Sequence, residues 1–204
     1  MSTWTSSLRA LALAVGLCPA ALPARAAPEK RIPVFGGAVV LAAPSGYCAD
    51  GTNSHDGEET AFVLFASCTS LGGSGAPRRP ALLTASVVNG GASRQPLAVS
   101  YADMAVFFQS DRGRAMLARS GRAVDLQVRR ISVAGEVMFL HLDDRSRFGD
   151  AAVQPGYWRA ILPANGRVVS LSVLAPEGLA MTGEEQRRTL DDFVARVQSA
   201  NRRR

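Results

Sequence analysis

The sequence predicts one α+β domain: an antiparallel β-sheet flanked by helices, an αβα sandwich with a long amphipathic helix at its C-terminal end. Three observations carry that expectation. Two alternating apolar–polar runs, residues 157–162 and 167–174, flank Pro163-Ala164-Asn165-Gly166, and Asn-Gly supplies the positive φ angles that a tight hairpin turn needs. Other strand-like runs follow one another closely, which favours hairpin links and antiparallel pairing. Two stretches carry a single apolar stripe at helical spacing, and such a stripe has to be buried against a sheet.

The chain opens with the three parts of a secretory signal. Residues 1–9 are polar, free of acid and positively charged at Arg9; residues 10–22 are rich in Ala and Leu; Ala24-Arg25-Ala26 sets small residues at the −3 and −1 positions of a cleavage site. A bilayer span takes roughly 20 apolar residues, and this run is shorter and meets Pro23 and Arg25. Residues 1–26 are therefore expected to be a cleaved signal peptide and residues 27–33 a flexible leader. Residues 34–201 are then the single domain, and residues 202–204 a basic tail. Cleavage lowers the formal net charge from +6 to +4 by removing Arg9 and Arg25, and Lys30 is the only lysine. That arginine usage, with many alanines, points to a GC-rich bacterial genome and so to a periplasmic location.

Within the domain, residues 34–43 read as a strand, Pro44-Ser45-Gly46 as a turn, residues 50–60 as a polar acidic loop and residues 61–68 as a buried strand. Residues 72–80, with three Gly and two Pro, read as loop, and residues 81–88 as the next strand. Ser100 and Asp103 have capping-box spacing ahead of a helix whose stripe is Met104, Phe107 and Phe108. Asp111 restarts or continues that helix through Met116 and Leu117, and Gly121 is a natural stop. Val124, Leu126 and Val128 alternate with polar residues, as do Val137, Phe139 and His141, with an Ala134-Gly135 turn between them. Thr182 and Glu185 form a second capping box, and Leu190, Phe193, Val194 and Val197 make the stripe of the last helix.

Cysteine arithmetic follows from export. Cys18 leaves with the signal, and the two remaining thiols, Cys48 and Cys68, are expected to pair in an oxidising compartment. A loop of this length gives about 3 kcal/mol on the chain-entropy model. A plain hairpin through residues 50–60 would set Cys48 opposite a residue near Phe62, so the bridge is expected to tie non-facing positions.

Chemical motifs are sparse. Asp50, His55, Asp56, Glu58 and Glu59 crowd one segment and are the metal candidates. They fail the EF-hand pattern, with His55 at the Gly position and Ala61 at the bidentate Glu position, so a solvated acidic loop without metal is expected. His141 reads as a structural strand histidine, since a general base needs a second group converging on it. Ser45, Ser67 and Ser86 lie outside any G-x-S-x-G, and Gly72-Gly73-Ser74-Gly75 lacks the Walker Lys. Arg129-Arg130 and the Arg202-Arg203-Arg204 tail are small basic clusters without interleaved aromatics, which argues against nucleic acid. Strand parity sends Tyr157 and Trp158 to opposite faces, one into the core and the other toward a surface groove; with Arg159 they form the candidate interaction surface.

Three stretches carry a resemblance: Gly46-Tyr47-Cys48, Phe108-Gln109-Ser110-Asp111-Arg112-Gly113-Arg114 and Tyr157-Trp158-Arg159. In these the mature chain resembles an uncharacterised family of small exported alphaproteobacterial proteins. The order of elements is similar to PsbP-like and DcrB-like domains, in which an antiparallel sheet lies between helices. That resemblance implies an accessory, assembly or binding role rather than catalysis, and it carries over no site residue.

The resulting expectation is a non-catalytic, disulfide-containing periplasmic accessory or binding protein that needs no cofactor. It would hold an envelope protein or small ligand in a groove between helix and sheet, or on a sheet face near Tyr157, Trp158 and Arg159. Two alternatives remain open. One is a small periplasmic hydrolase or ligand-modifying enzyme using His141 or His55, which needs either histidine in a deep cleft beside a second polar group. The other is an envelope-associated structural protein touching anionic lipid through Arg202, Arg203 and Arg204.

Overall fold

A computed structural model of the chain describes residues 29–89, 97–179 and 181–202; the expected signal peptide, and Arg203 and Arg204 of the expected tail, lie outside them. Strands β1 (Arg31–Val34) and β2 (Val39–Ala42) form a separate hairpin, because Phe35, Gly36 and Gly37 take positive φ (52°, 63° and 89°) and turn the chain back. The Asp56 carboxylate holds that turn by accepting the Phe35 N–H at 3.1 and 3.2 Å. Two expectations change here: residues 34–43 are not one strand, and residues 31–33, expected in a loose leader, are paired.

The remaining strands are β3 (Tyr47–Asp56), β4 (Thr60–Ser67), β5 (Leu82–Val88), β6 (Leu126–Ala134), β7 (Val137–Asp144), β8 (Gly156–Ala164) and β9 (Arg167–Leu174). They form a seven-stranded antiparallel sheet in the order β3-β4-β5-β9-β8-β7-β6. Two meanders, β3 to β5 and β6 to β9, meet where β9 lies against β5. Asn165 (φ 48°) and Gly166 (φ 77°) close the β8–β9 hairpin, as the Asn-Gly pair predicts.

The acidic segment expected as loop is mostly strand. β3 continues to Asp56 across a bulge between Asp50 and His55, where local polar groups take over the missing ladder bonds. Asp50 accepts the Thr52 N–H at 3.0 Å, and the Ser54 hydroxyl donates to the Asp50 carbonyl while accepting the Leu64 N–H. The hairpin turns at residues 57–59, later than the middle of residues 50–60, so that even after the bulge Cys48 faces Ala66 rather than a residue near Phe62, and the Cys48–Cys68 disulfide runs diagonally between non-facing positions. Both cysteines are buried, and the bond is compatible with an oxidising, exported location.

Helices α1 (Tyr101–Gln109), α2 (Asp111–Leu117) and α3 (Gly183–Asn201) complete the α+β architecture. α3 lies with β1-β2 on one sheet face, over Val63, Phe65, Leu83, Ala160, Leu171 and Val173. Its stripe is buried as expected, each such side chain giving about 1.5–3 kcal/mol. Thr182 and Glu185 form the reciprocal cap at 3.3 and 2.9 Å. On the opposite face α1 and α2 cover Met138, Leu140, Leu142, Tyr157 and Ile161, at the β6 side of the sheet. The expected Ser100 cap is absent: Ser100 ends a 3-10 turn (Leu97–Ser100) with helical backbone, so its side chain caps nothing. Ser110 breaks α1 from α2 and caps the second, accepting the Gly113 N–H at 3.1 Å. Met116 points outward, 72% exposed, whereas Leu117 is buried. No helix of the described residues is long and apolar enough to cross a membrane.

Candidate functional site

Because α1 and α2 sit toward β6, the part of their sheet face away from β6 is shaped mainly by strand side chains. Period-two alternation turns Tyr157, Arg159 and Ile161 of β8, Ser170, Ser172 and Leu174 of β9, Thr84 and Ser86 of β5, and Phe62 of β4 to this side. The register lines them up in rows. Arg159 faces Ser172, which faces Thr84; Ile161 faces Ser170, which faces Ser86, which faces Phe62. Four hydroxyls thus form a patch about 5 Å by 7 Å, set by strand spacing and rise. Outward Ser and Thr are ordinary on a solvated sheet face, but Ser172 is only 3% and Thr84 9% exposed.

Arg119, just after α2, and Phe148, between β7 and β8, close one side of this patch into a cavity of about 190 Å³. Arg119 is fixed from behind by Asp144, whose side chain is fully buried. Arg119 Nε lies 3.3 Å from Asp144 Oδ2, its Nη2 donates to the carbonyls of Asp144 and Ser146 at 2.6 and 2.7 Å, and its backbone N–H donates to Oδ2 at 2.9 Å. Asp144 Oδ1 in turn accepts the Ser146 N–H and hydroxyl. Arg159 donates from Nε to the Ser172 hydroxyl at 3.1 Å and from Nη1 to the Leu117 carbonyl at 3.3 Å. Both guanidinium groups lie against the Tyr157 ring, 5.5 and 5.6 Å from its centroid.

Two donor atoms in this arrangement, Tyr157 Oη and Arg119 Nη1, are buried without a hydrogen-bond partner, while Arg119 Nε has only its ion pair with Asp144. Burial holds the Tyr157 phenol above its ordinary pKa of 10.0 against the opposing pull of Arg159, so it keeps its proton and remains a donor. The residues lining the cavity thus carry two guanidinium groups, a neutral phenol and a ladder of hydroxyls that can both donate and accept.

The sequence-derived candidates are distributed as follows. Tyr157 and Arg159 line the cavity, while Trp158 is buried on the α3 face. There Trp158 stacks on His141 with ring centroids 4.7 Å apart, and the Arg187 guanidinium covers Phe139 and Trp158 at 3.7 and 5.2 Å. Both aromatics of the Tyr157-Trp158 pair are thus largely buried, one in each core, with Tyr157 also among the residues lining the cavity. His141 is lowered from its ordinary pKa of 6.5 by burial first and Arg129 second, and neighbouring Asp143 is taken by Arg129 at 2.7 Å. His55 is exposed and stacks on Phe62 at 5.9 Å. Asp50 and Asp56 serve the bulge and the Phe35 turn, and the Glu58 carbonyl accepts the Asn89 amide. Among the described residues no group of three or more His, Cys, Asp or Glu is placed to hold a metal ion. Arg202 is exposed at the end of α3.

A larger cleft, about 910 Å³, opens between α3 and the loops carrying Pro44 and Arg78. Its charges are of both signs, Arg79 pairs with Glu185 at 2.5 Å, and none of the partnerless buried atoms lies on a residue that lines it. Among the described residues, partnerless buried atoms occur on Arg119 and Tyr157, which line the smaller sheet-face cavity, and at Trp158 Nε1 and Gln186 Oε1 on the α3 side.

Sequence reasoning missed Arg119, Ser170, Ser172, Thr84 and Phe148 as site residues. The Ser-x-Ser and Thr-x-Ser parity of β9 and β5 was a legible signal, but the register that joins the two strands was not. Compared with known proteins, no family model, curated protein or solved structure matches the chain.

Proposed function

We propose that the protein is an exported, periplasmic binding protein that holds a small ligand, without catalysis, in the sheet-face cavity beside Tyr157 and Arg159. One observation carries the reading: the Tyr157 hydroxyl and Arg119 Nη1, both buried, lack partners on residues lining the same cavity. A buried donor without an acceptor costs about 1–3 kcal/mol, and a ligand that enters as the site opens around these atoms and supplies an acceptor recovers it. Absence of turnover is supported by the residue types. Guanidinium groups do not release protons near neutral pH, the phenol is held protonated, His141 lies on the opposite face, and His55 is exposed and stacked on the Phe62 ring. Export is supported by the signal-like residues 1–26 and by the disulfide. The order of the elements supports placing the sandwich among PsbP-like and DcrB-like arrangements.

A thermal-shift screen of the mature protein against a small-metabolite library tests this. We expect at least one compound to raise the melting temperature of the wild type and to lose that effect in Arg159→Ala. No stabilising compound, or a shift unchanged in Arg159→Ala, would end the reading.

A further inference from the structure

We infer that the ligand of this cavity is a small hydroxylated carboxylate carrying one negative charge, bound with its carboxylate at Arg119, Arg159 and Tyr157 and its hydroxyls along Thr84, Ser86 and Ser170. The inference rests on the binding role proposed above and gives that role a chemical class.

Charge sets the valence. Arg119 and Arg159 bring two positive charges to the cavity, and Asp144, fully buried behind Arg119, brings one negative. One positive charge remains to be balanced, which a monoanion does. A phosphate dianion would put a second negative charge near the Asp144 carboxylate in a site of reduced dielectric, where repulsion is strong. A neutral polyol would leave a guanidinium uncompensated. Donor geometry selects the acceptor: a phenol O–H and guanidinium N–H groups all donate, and a carboxylate accepts through two oxygens.

Size and the opposite wall set the rest. The cavity of 190 Å³ corresponds to about six water molecules, so the ligand is small. Beyond the cationic end the register places Ser86 and Ser170 side by side next to Thr84 and Ser172. Hydroxyls in that array pair with ligand hydroxyls better than with a hydrocarbon tail, because each both donates and accepts. Phe62 and Phe148 limit the length at either side.

Calorimetry at about pH 8.5, where inorganic phosphate is a dianion, on the mature, disulfide-bonded protein with glycerate, propionate, glycerol and inorganic phosphate tests the class. We expect glycerate to bind, propionate to bind at least tenfold more weakly, and glycerol and phosphate to give no saturable heat. Tyr157→Phe is expected to weaken glycerate at least fivefold while remaining folded, and Ser86→Ala with Ser170→Ala to reduce the preference for glycerate over propionate. Phosphate or glycerol binding as tightly as glycerate would overturn the class and leave the binding role standing, as would glycerate failing to bind while the library screen yields an Arg159-dependent compound. Failure of both experiments would remove the role as well.

Discussion

Tyr157 concentrates the energetic question in one atom. Its ring is fully buried between two guanidinium groups, which favours it, while its hydroxyl has no partner, which does not. Removing the hydroxyl and keeping the ring separates the two effects. In the ligand-free protein Tyr157→Phe is expected to leave unfolding free energy unchanged or raise it by about 1 kcal/mol, read by urea denaturation. A loss of about 2 kcal/mol would mean that the hydroxyl holds the fold. Arg119 shows why part of the site was not legible in the sequence. It lies 25 residues from Asp144, in a segment with no motif, and only the folded chain brings the two together. Tyr157 and Arg159 were legible, because strand parity alone puts them on one face.

Among the elements, the break between α1 and α2 positions Arg119 at the cavity. Ser110 caps α2, and Gly113 passes so close to α1 that a Cβ there would lie 2.0 Å from the Phe107 carbonyl oxygen. Gly→Ala inside an ordinary helix stabilises by about 1 kcal/mol. Here the contact is with backbone, so Gly113→Ala is expected to destabilise by about 2 kcal/mol or more in urea denaturation and to weaken ligand binding with it. An increase in stability would show that the corner is loose. Local signals of this kind separate what the sequence reveals from what it hides. Asn165-Gly166 and Thr182 with Glu185 were legible because each is fixed by residues a few positions apart. The β1-β2 hairpin was not, because its turn lies inside an apolar run and depends on a positive φ at Phe35, which a long-range bond from Asp56 stabilises.

At the scale of the whole molecule, the two faces of the sheet are covered differently. One face is closed by α3 and the β1-β2 hairpin around an apolar core, and the other is covered by α1 and α2 over part of its width, leaving hydroxyls and guanidinium groups to shape a cavity. The α+β class and the antiparallel pairing were legible from hairpin spacing. The junction of the two meanders was not, because β5 and β9 lie about 80 residues apart and similar apolar alternation would suit several strand orders. That junction creates the cavity, since it sets Ser172 beside Thr84 and Ser170 beside Ser86. The most direct measurement is native mass spectrometry of the mature protein taken from periplasmic extract without denaturation, wild type beside Arg159→Ala. We expect the wild type to carry a small noncovalent mass that is released on gentle activation and is missing from the variant. Bare protein in both samples, or the same retained mass in both, would contradict a ligand-binding cavity at Tyr157 and Arg159.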